Sequence, residues 1–119
     1  MAGHERTLRC FAVNDERFIR SVVSGHLGSA EASSFRPKTQ ALVRLAALVA
    51  LDAAPATYQC EVDAALAAGA TADDIVGTLV AVAPLIGVAR AVSAAPKLGI
   101  AIGYDVDAAL EKLEHDAPS

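Results

Sequence analysis

The run Leu66-Ala67-Ala68-Gly69-Ala70-Thr71-Ala72-Asp73-Asp74-Ile75-Val76 constrains the fold of this chain more than any other stretch. It reads as one helix ending at Gly69 and another beginning after Thr71. Glycine adopts the left-handed conformation that closes a helix without a Cβ penalty. Thr71 then caps the next helix, and Asp74, three residues on, can reach back to complete a capping box.

Helical signals continue on both sides. Asn14-Asp15-Glu16 is a helix start with Asn14 as N-cap and two acids favoured by the helix dipole. Phe18, Ile19, Val22, Val23 and His26 follow at helical spacing, and Gly25 and Gly28 close the run. Gly28 to Pro37 is a small, polar connector suited to a loop. Pro37 opens a helix reaching Leu51 that is apolar nearly all round, with Arg44 as its one interior charge; such a helix is central or interfacial. A third helix, about Ala56 to Ala68, sets Tyr58, Val62, Ala65 and Leu66 on one face. In the fourth, Pro84 and Gly87 predict a break near Leu85. Val88 to about Ala95 forms another run, Pro96 punctuates it, and Asp105 opens a closing helix. No segment alternates as a strand does. The expected class is all-α: about six helices in a single domain over 1–119, with its core at about 35–103, an N-terminal helix at about 14–27 and a C-terminal helix at about 105–115.

Composition narrows the partners. Hydrophobic residues make up 54% and aromatic residues only 4%, so the core is built of Ala, Leu, Val and Ile. A mean hydropathy of +0.40 is high for a soluble monomer and points to apolar surface buried between subunits. The net charge of −4, with acids spread along the chain, argues against nucleic acid. His4, Glu5, Arg6 and Arg9 interrupt any secretory signal. The longest apolar stretch, Ile75 to Ala89, is too short to span a bilayer. Cys10 and Cys60 form neither a disulfide framework nor a metal spacing, so a reducing cytoplasm is expected. No two histidines stand at i, i+4, and no metal is expected.

The order of these motifs resembles the carboxymuconolactone decarboxylase family, which includes the alkyl hydroperoxide reductase D proteins. Pro37-Lys38-Thr39-Gln40-Ala41-Leu42-Val43 is similar to that family's P-K-T-R-E-L-I helix start, and the likeness extends over roughly Phe35 to Gly87. In the redox-active branch a C-x-x-C pair, a histidine four residues later and a glutamate on the preceding helix form a proton relay. By this resemblance Ala54 and Thr57 occupy the cysteine positions, Glu61 the histidine position, and Ala41 or Leu42 the glutamate position. Thiol catalysis needs an attacking thiolate and usually a resolving partner, and both are absent at those places. The decarboxylase branch lacks the cysteine pair and is the nearer likeness. The resemblance also implies a homotrimer or homohexamer.

Glu61 is the candidate catalytic group: a carboxylate on the border of an apolar helix face, flanked by Thr57, Ala64, Ala65 and Ala68, suits proton transfer. A rim glutamate paired with an arginine is the alternative. Arg44 and Arg90, each inside an apolar run, can hold an anionic substrate or form structural ion pairs. Tyr58 is either core or a hydroxyl at a cavity edge. Cys60 is a minor candidate thiol, read first as packing. His26 at a helix C-terminus is explained by the dipole, and His4 and His115 fall in tails. Three functions stay open. One is a cofactor-free lyase or isomerase acting on a small carboxylated molecule. Another is a ligand-binding or scaffolding oligomer, and the last is a thiol-dependent peroxidase-type protein using Cys60.

Overall fold

A computed structural model describes residues 3–24 and 34–116, and every regular element in them is a helix. The elements are α1 (Gly3–Ala12), α2 (Glu16–Val23), α3 (Pro37–Leu51), α4 (Pro55–Ala67), α5 (Ala72–Ile86), α6 (Val88–Ala101) and α7 (Val106–Asp116). Gly25, His26 and Gly28, read above as closing the first run, lie outside the described residues. The chain divides into two units, Met1–Arg36 and Pro37–Ser119.

In the first unit a helix spans the segment expected to be a tail. Glu5 in its first turn and Arg9 in its last both complement the helix dipole. Asn14 does not cap α2. It sits in the left-handed region at φ 55° and closes α1, with its N–H donating to the Phe11 carbonyl at 3.0 Å and the Asp15 N–H donating to the Cys10 carbonyl at 2.9 Å. Asparagine tolerates that conformation, which leaves Asp15 as the N-cap accepting from the Phe18 N–H. The Phe11 and Phe18 rings meet edge to face, their centroids 5.0 Å apart.

The second unit carries the core. Ala41, Leu45 and Val49 form the buried stripe of α3, at i, i+4 and i+8. Tyr58, Val62 and Ala65 of α4 pack against them, with Ile75 of α5 and Ala94 and Leu98 of α6 completing the cluster. Each fully buried Leu, Val or Ile contributes roughly 1.5–3 kcal/mol. One expectation is corrected here: Leu66 lies outside the buried face of α4. On α3, expected to be central or interfacial, Val43 and Leu51 are exposed in the single chain.

The same closing geometry recurs at three helix ends of this unit. The N–H groups of Ala53, Ala70 and Tyr104 reach back to the carbonyls of Leu48, Ala65 and Gly99, five residues earlier. The residue before each donor, Asp52, Gly69 or Gly103, has positive φ. This is the Schellman arrangement, and the expected stop at Gly69 is where it falls. The expected capping box is present: the Asp74 N–H donates to Thr71 Oγ1 at 3.0 Å and the Thr71 N–H donates to the Asp74 carboxylate at 2.9 Å.

Prolines disrupt less than their sequence positions suggest. Pro84 is accommodated in the last turn of α5, and the break falls at Gly87 with φ 87° rather than at Leu85. Pro96 does not end a helix; α6 runs through it to Ala101. A proline forfeits one backbone hydrogen bond and crowds the preceding turn. Burial of Ala94, Leu98 and Gly99 on either side of Pro96 holds the helix continuous.

Candidate active site

Helices α3 and α4 enclose a small cleft of about 180 Å³ lined by Pro37, Gln40, Ala41, Arg44, Glu61 and Ala64. Gln40 and Arg44 are one turn apart on α3, so both project to the same side. Ala41, between them in sequence, is buried and forms part of the lining. Glu61 enters from α4, with Ala64 one turn further along the same helix face. Glu61 and Arg44 are both half-buried. Among the described residues the Glu61 carboxylate makes no ion pair or hydrogen bond, and neither does the Gln40 amide. A half-buried carboxylate without a protein partner is available to a bound molecule.

The cleft thus joins two of the sequence-derived candidates, Glu61 and Arg44, and leaves out the others. Tyr58 is fully buried in the core, and its hydroxyl donates to the Leu48 carbonyl at 3.2 Å. Burial raises its phenol above the ordinary range, and the negative charge of Asp52 adds to that. Arg90 is exposed on α6, where its field acts on Asp52. Cys60 is an exposed free thiol outside the cleft lining. The cleft also adds a residue that sequence reasoning passed over. Gln40 carried a readable signal, because it precedes Arg44 by four positions and directly follows the helix-opening Pro37-Lys38-Thr39 run.

A larger hollow of about 450 Å³ lies elsewhere in this unit, with Pro55, Ala56, Pro96, Ile100 and Ala101 among its walls. Two of its polar groups already serve the fold. Gln59 Nε2 donates to the Asp63 carboxylate at 2.9 Å and to the Ala101 carbonyl at 3.3 Å. Lys97 Nζ donates to Asp52 at 3.1 Å and to the Ala53 carbonyl at 2.9 Å. The hollow's remaining acid, Asp107, is exposed, whereas Glu61 and Gln40 of the smaller cleft are half-buried and make no side-chain hydrogen bond among the described residues, which makes the smaller cleft the better candidate.

The cleft is anchored at its N-terminal edge. Lys38 Nζ lies 3.2 Å from Asp74, the acid of the capping box, and so ties the start of α3 to the start of α5. The Thr71 backbone N–H, together with the Lys38 ammonium, holds the Asp74 carboxyl below its ordinary range. Among the described residues, no cluster of three His, Cys, Asp or Glu side chains could hold a metal ion, and no helix is long and apolar enough to cross a membrane.

Comparison with known proteins agrees with the architecture. A model of the carboxymuconolactone decarboxylase family matches residues 19–98, more than half of the chain and all of α3, α4 and α5. No curated protein and no solved structure matches the chain significantly. The all-helical chain, with its candidate cleft inside the matched region, belongs to the carboxymuconolactone decarboxylase family.

Proposed function

We propose that this family member is a cofactor-free lyase or isomerase acting on a small carboxylated molecule in the cleft between α3 and α4. In this reading Glu61 moves the proton and Arg44 holds the substrate carboxylate. One observation carries it: a half-buried glutamate with no hydrogen bond or ion pair among the described residues shares a cleft with a half-buried arginine. A guanidinium holds a carboxylate through paired N–H donors, which fixes the orientation of the rest of the molecule. A carboxylate opposite it can then take a proton from a carbon next to a carbonyl, with the electron pair passing to the carbonyl oxygen, and return it at another carbon. Ala41 or Leu42 stands where the family resemblance expects a relay glutamate, and neither side chain is an acid. Glu61 therefore works as a single group rather than as half of a pair.

The test is kinetic. A panel of small lactone and keto acids is incubated with the protein in D₂O and followed by NMR for hydrogen exchange, isomerisation or loss of carbon dioxide. Glu61→Gln keeps shape and polarity but cannot exchange a proton, and the expected loss is about 10²–10⁴-fold in rate. Arg44→Met should mainly raise KM. Turnover by Glu61→Gln at the wild-type rate removes Glu61 from the mechanism.

A second reading, a ligand-binding or scaffolding homo-oligomer, is favoured by the apolar side chains that α5 and α6 expose. Val80 is 66%, Leu85 87%, Val88 79% and Val92 65% accessible. Apolar groups this open in neighbouring helices suit subunit contact, in a trimer or hexamer as the family resemblance implies. The two readings are compatible, because an oligomer can carry the cleft in each subunit.

A further inference from the structure

The larger hollow of the second unit, about 450 Å³ between α4, α6 and the start of α7, is separate from the cleft that holds Glu61. Its size falls within the usual range of small-molecule sites, and Pro55, Ala56, Pro96 and Ile100 give it apolar walls. We infer that it is a second binding site, for a small ammonium ion carrying an apolar group, with Asp107 pairing the charge and the Gln59 side-chain carbonyl accepting a further N–H. The inference is independent of the roles given to Glu61 and Arg44.

What these side chains have left to offer decides the ligand. The Lys97 ammonium donates to Asp52 and to the Ala53 carbonyl, and neither of those residues lines the hollow. Asp52 neutralises that charge at 3.1 Å, and the four-carbon stem of Lys97 remains as further apolar surface. Gln59 has spent both amide N–H groups, on the Asp63 carboxylate and the Ala101 carbonyl, which leaves its Oε1 as an acceptor. Asp107 makes no hydrogen bond or ion pair among the described residues, so its carboxylate is a second, charged acceptor. Packing sets its place. Val106, the residue before it, stands against Gly99, where a Cβ would come within 2.7 Å of Val106 Cγ2. Pro55 and Pro96 lack an N–H, so these walls add no donor. Acceptors from two helices beside apolar walls match an alkylammonium group, whose three N–H donors can reach both and keep one for water. The start of α4 acts the other way, because it has no side-chain cap and its dipole favours an anion. A helix terminus carries only about half a unit charge, however, and the Asp107 carboxylate carries a full one.

The experiment uses the full chain and three probes of similar shape: 2-phenylethylammonium, 2-phenylethanol and 3-phenylpropanoate. Binding is read from NMR shifts of the backbone amides of Ala56, Gln59, Lys97, Ile100, Ala101 and Asp107. The ammonium should bind tightest, ahead of the alcohol by roughly 2- to 5-fold, the worth of an exposed ion pair, with the carboxylate weakest. Asp107→Asn should bring the ammonium to the affinity of the alcohol. Asp116→Asn makes the same change in net charge outside the hollow and should leave the ammonium unaffected. Ala56→Leu fills the hollow from an exposed position and should weaken ammonium and alcohol together. Circular dichroism checks that each variant is folded. The carboxylate binding as tightly as the ammonium overturns the proposal, since the start of α4 then decides the ligand. Equal losses in Asp107→Asn and Asp116→Asn overturn it as well, because attraction to the net charge alone then suffices. So does an unchanged ammonium affinity in Asp107→Asn, or no shift at these amides with the ammonium at tens of millimolar.

Discussion

The Lys97 ammonium on α6 lies 3.1 Å from Oδ1 of Asp52, the residue that closes α3 in the left-handed region at φ 53°. Ser93, one turn earlier on α6, donates to the same oxygen at 2.7 Å. A helix end that would ordinarily take glycine is thereby occupied by a side chain that joins two helices far apart in sequence.

The opposing effects at Asp52 predict an order of stabilities. Asp52→Ala keeps a Cβ in the left-handed region and loses both partners. Asp52→Gly loses the partners and relieves the backbone. Thermal melts should therefore place Asp52→Gly above Asp52→Ala. The reverse order would mean that the backbone conformation is not retained in the variants.

Acid should weaken the second unit through two carboxylates. Hydrogen bonds from Ser93 and then Lys97 hold Asp52 below its ordinary value of 3.8, and the Thr71 N–H and Lys38 do the same for Asp74. A carboxyl depressed in the folded state binds its proton more readily in the unfolded state. Its contribution is present above about pH 4 and lost as pH falls through the folded-state value. Urea midpoints measured from pH 6 downward should decline in that window, and less steeply in Asp52→Asn.

Gly99 sits where α6 meets the turn into α7. A Cβ built there would stand 2.5 Å from the Tyr104 carbonyl oxygen and 2.7 Å from Val106 Cγ2. The backbone oxygen cannot step aside, because the Tyr104 N–H donates to the Gly99 carbonyl at 2.7 Å. Gly99→Ala should cost about 1–3 kcal/mol by denaturant unfolding, although alanine is the better helix former.

Removing the Thr71 hydroxyl deprives the Asp74 N–H of its acceptor at the start of α5. Thr71→Ala should cost about 1 kcal/mol, and Thr71→Ser should recover most of it.

The exposed side chains of α5 and α6 predict assembly. Light scattering at micromolar concentration should give a multiple of the 12.2 kDa chain mass. Val88→Asp should lower that mass while leaving the helical circular dichroism intact, because Val88 lies outside the core. A wild-type particle of one chain mass would remove the oligomer from consideration.

Local chemistry set much of this fold. The Gly69 stop, the Thr71–Asp74 box, the Pro37 start and the stripe of Tyr58, Val62 and Ala65 rest on residues a few positions apart, so their physics is contained in the sequence. Contacts between distant segments were not readable in the same way. Asp52 reads as a short polar break until Ser93 and Lys97 approach from 41 and 45 positions away. Pro96 reads as a terminator until the core packs on both sides of it. Glu61 and Arg44 could each be named from the sequence as a charge out of place, but only the packing of α4 on α3 decided that they share a cleft and that Arg90 and Tyr58 do not. Gln40 shows the same division: four positions fix which side of α3 it shares with Arg44, while the facing helix decides whether that side is a surface or a site.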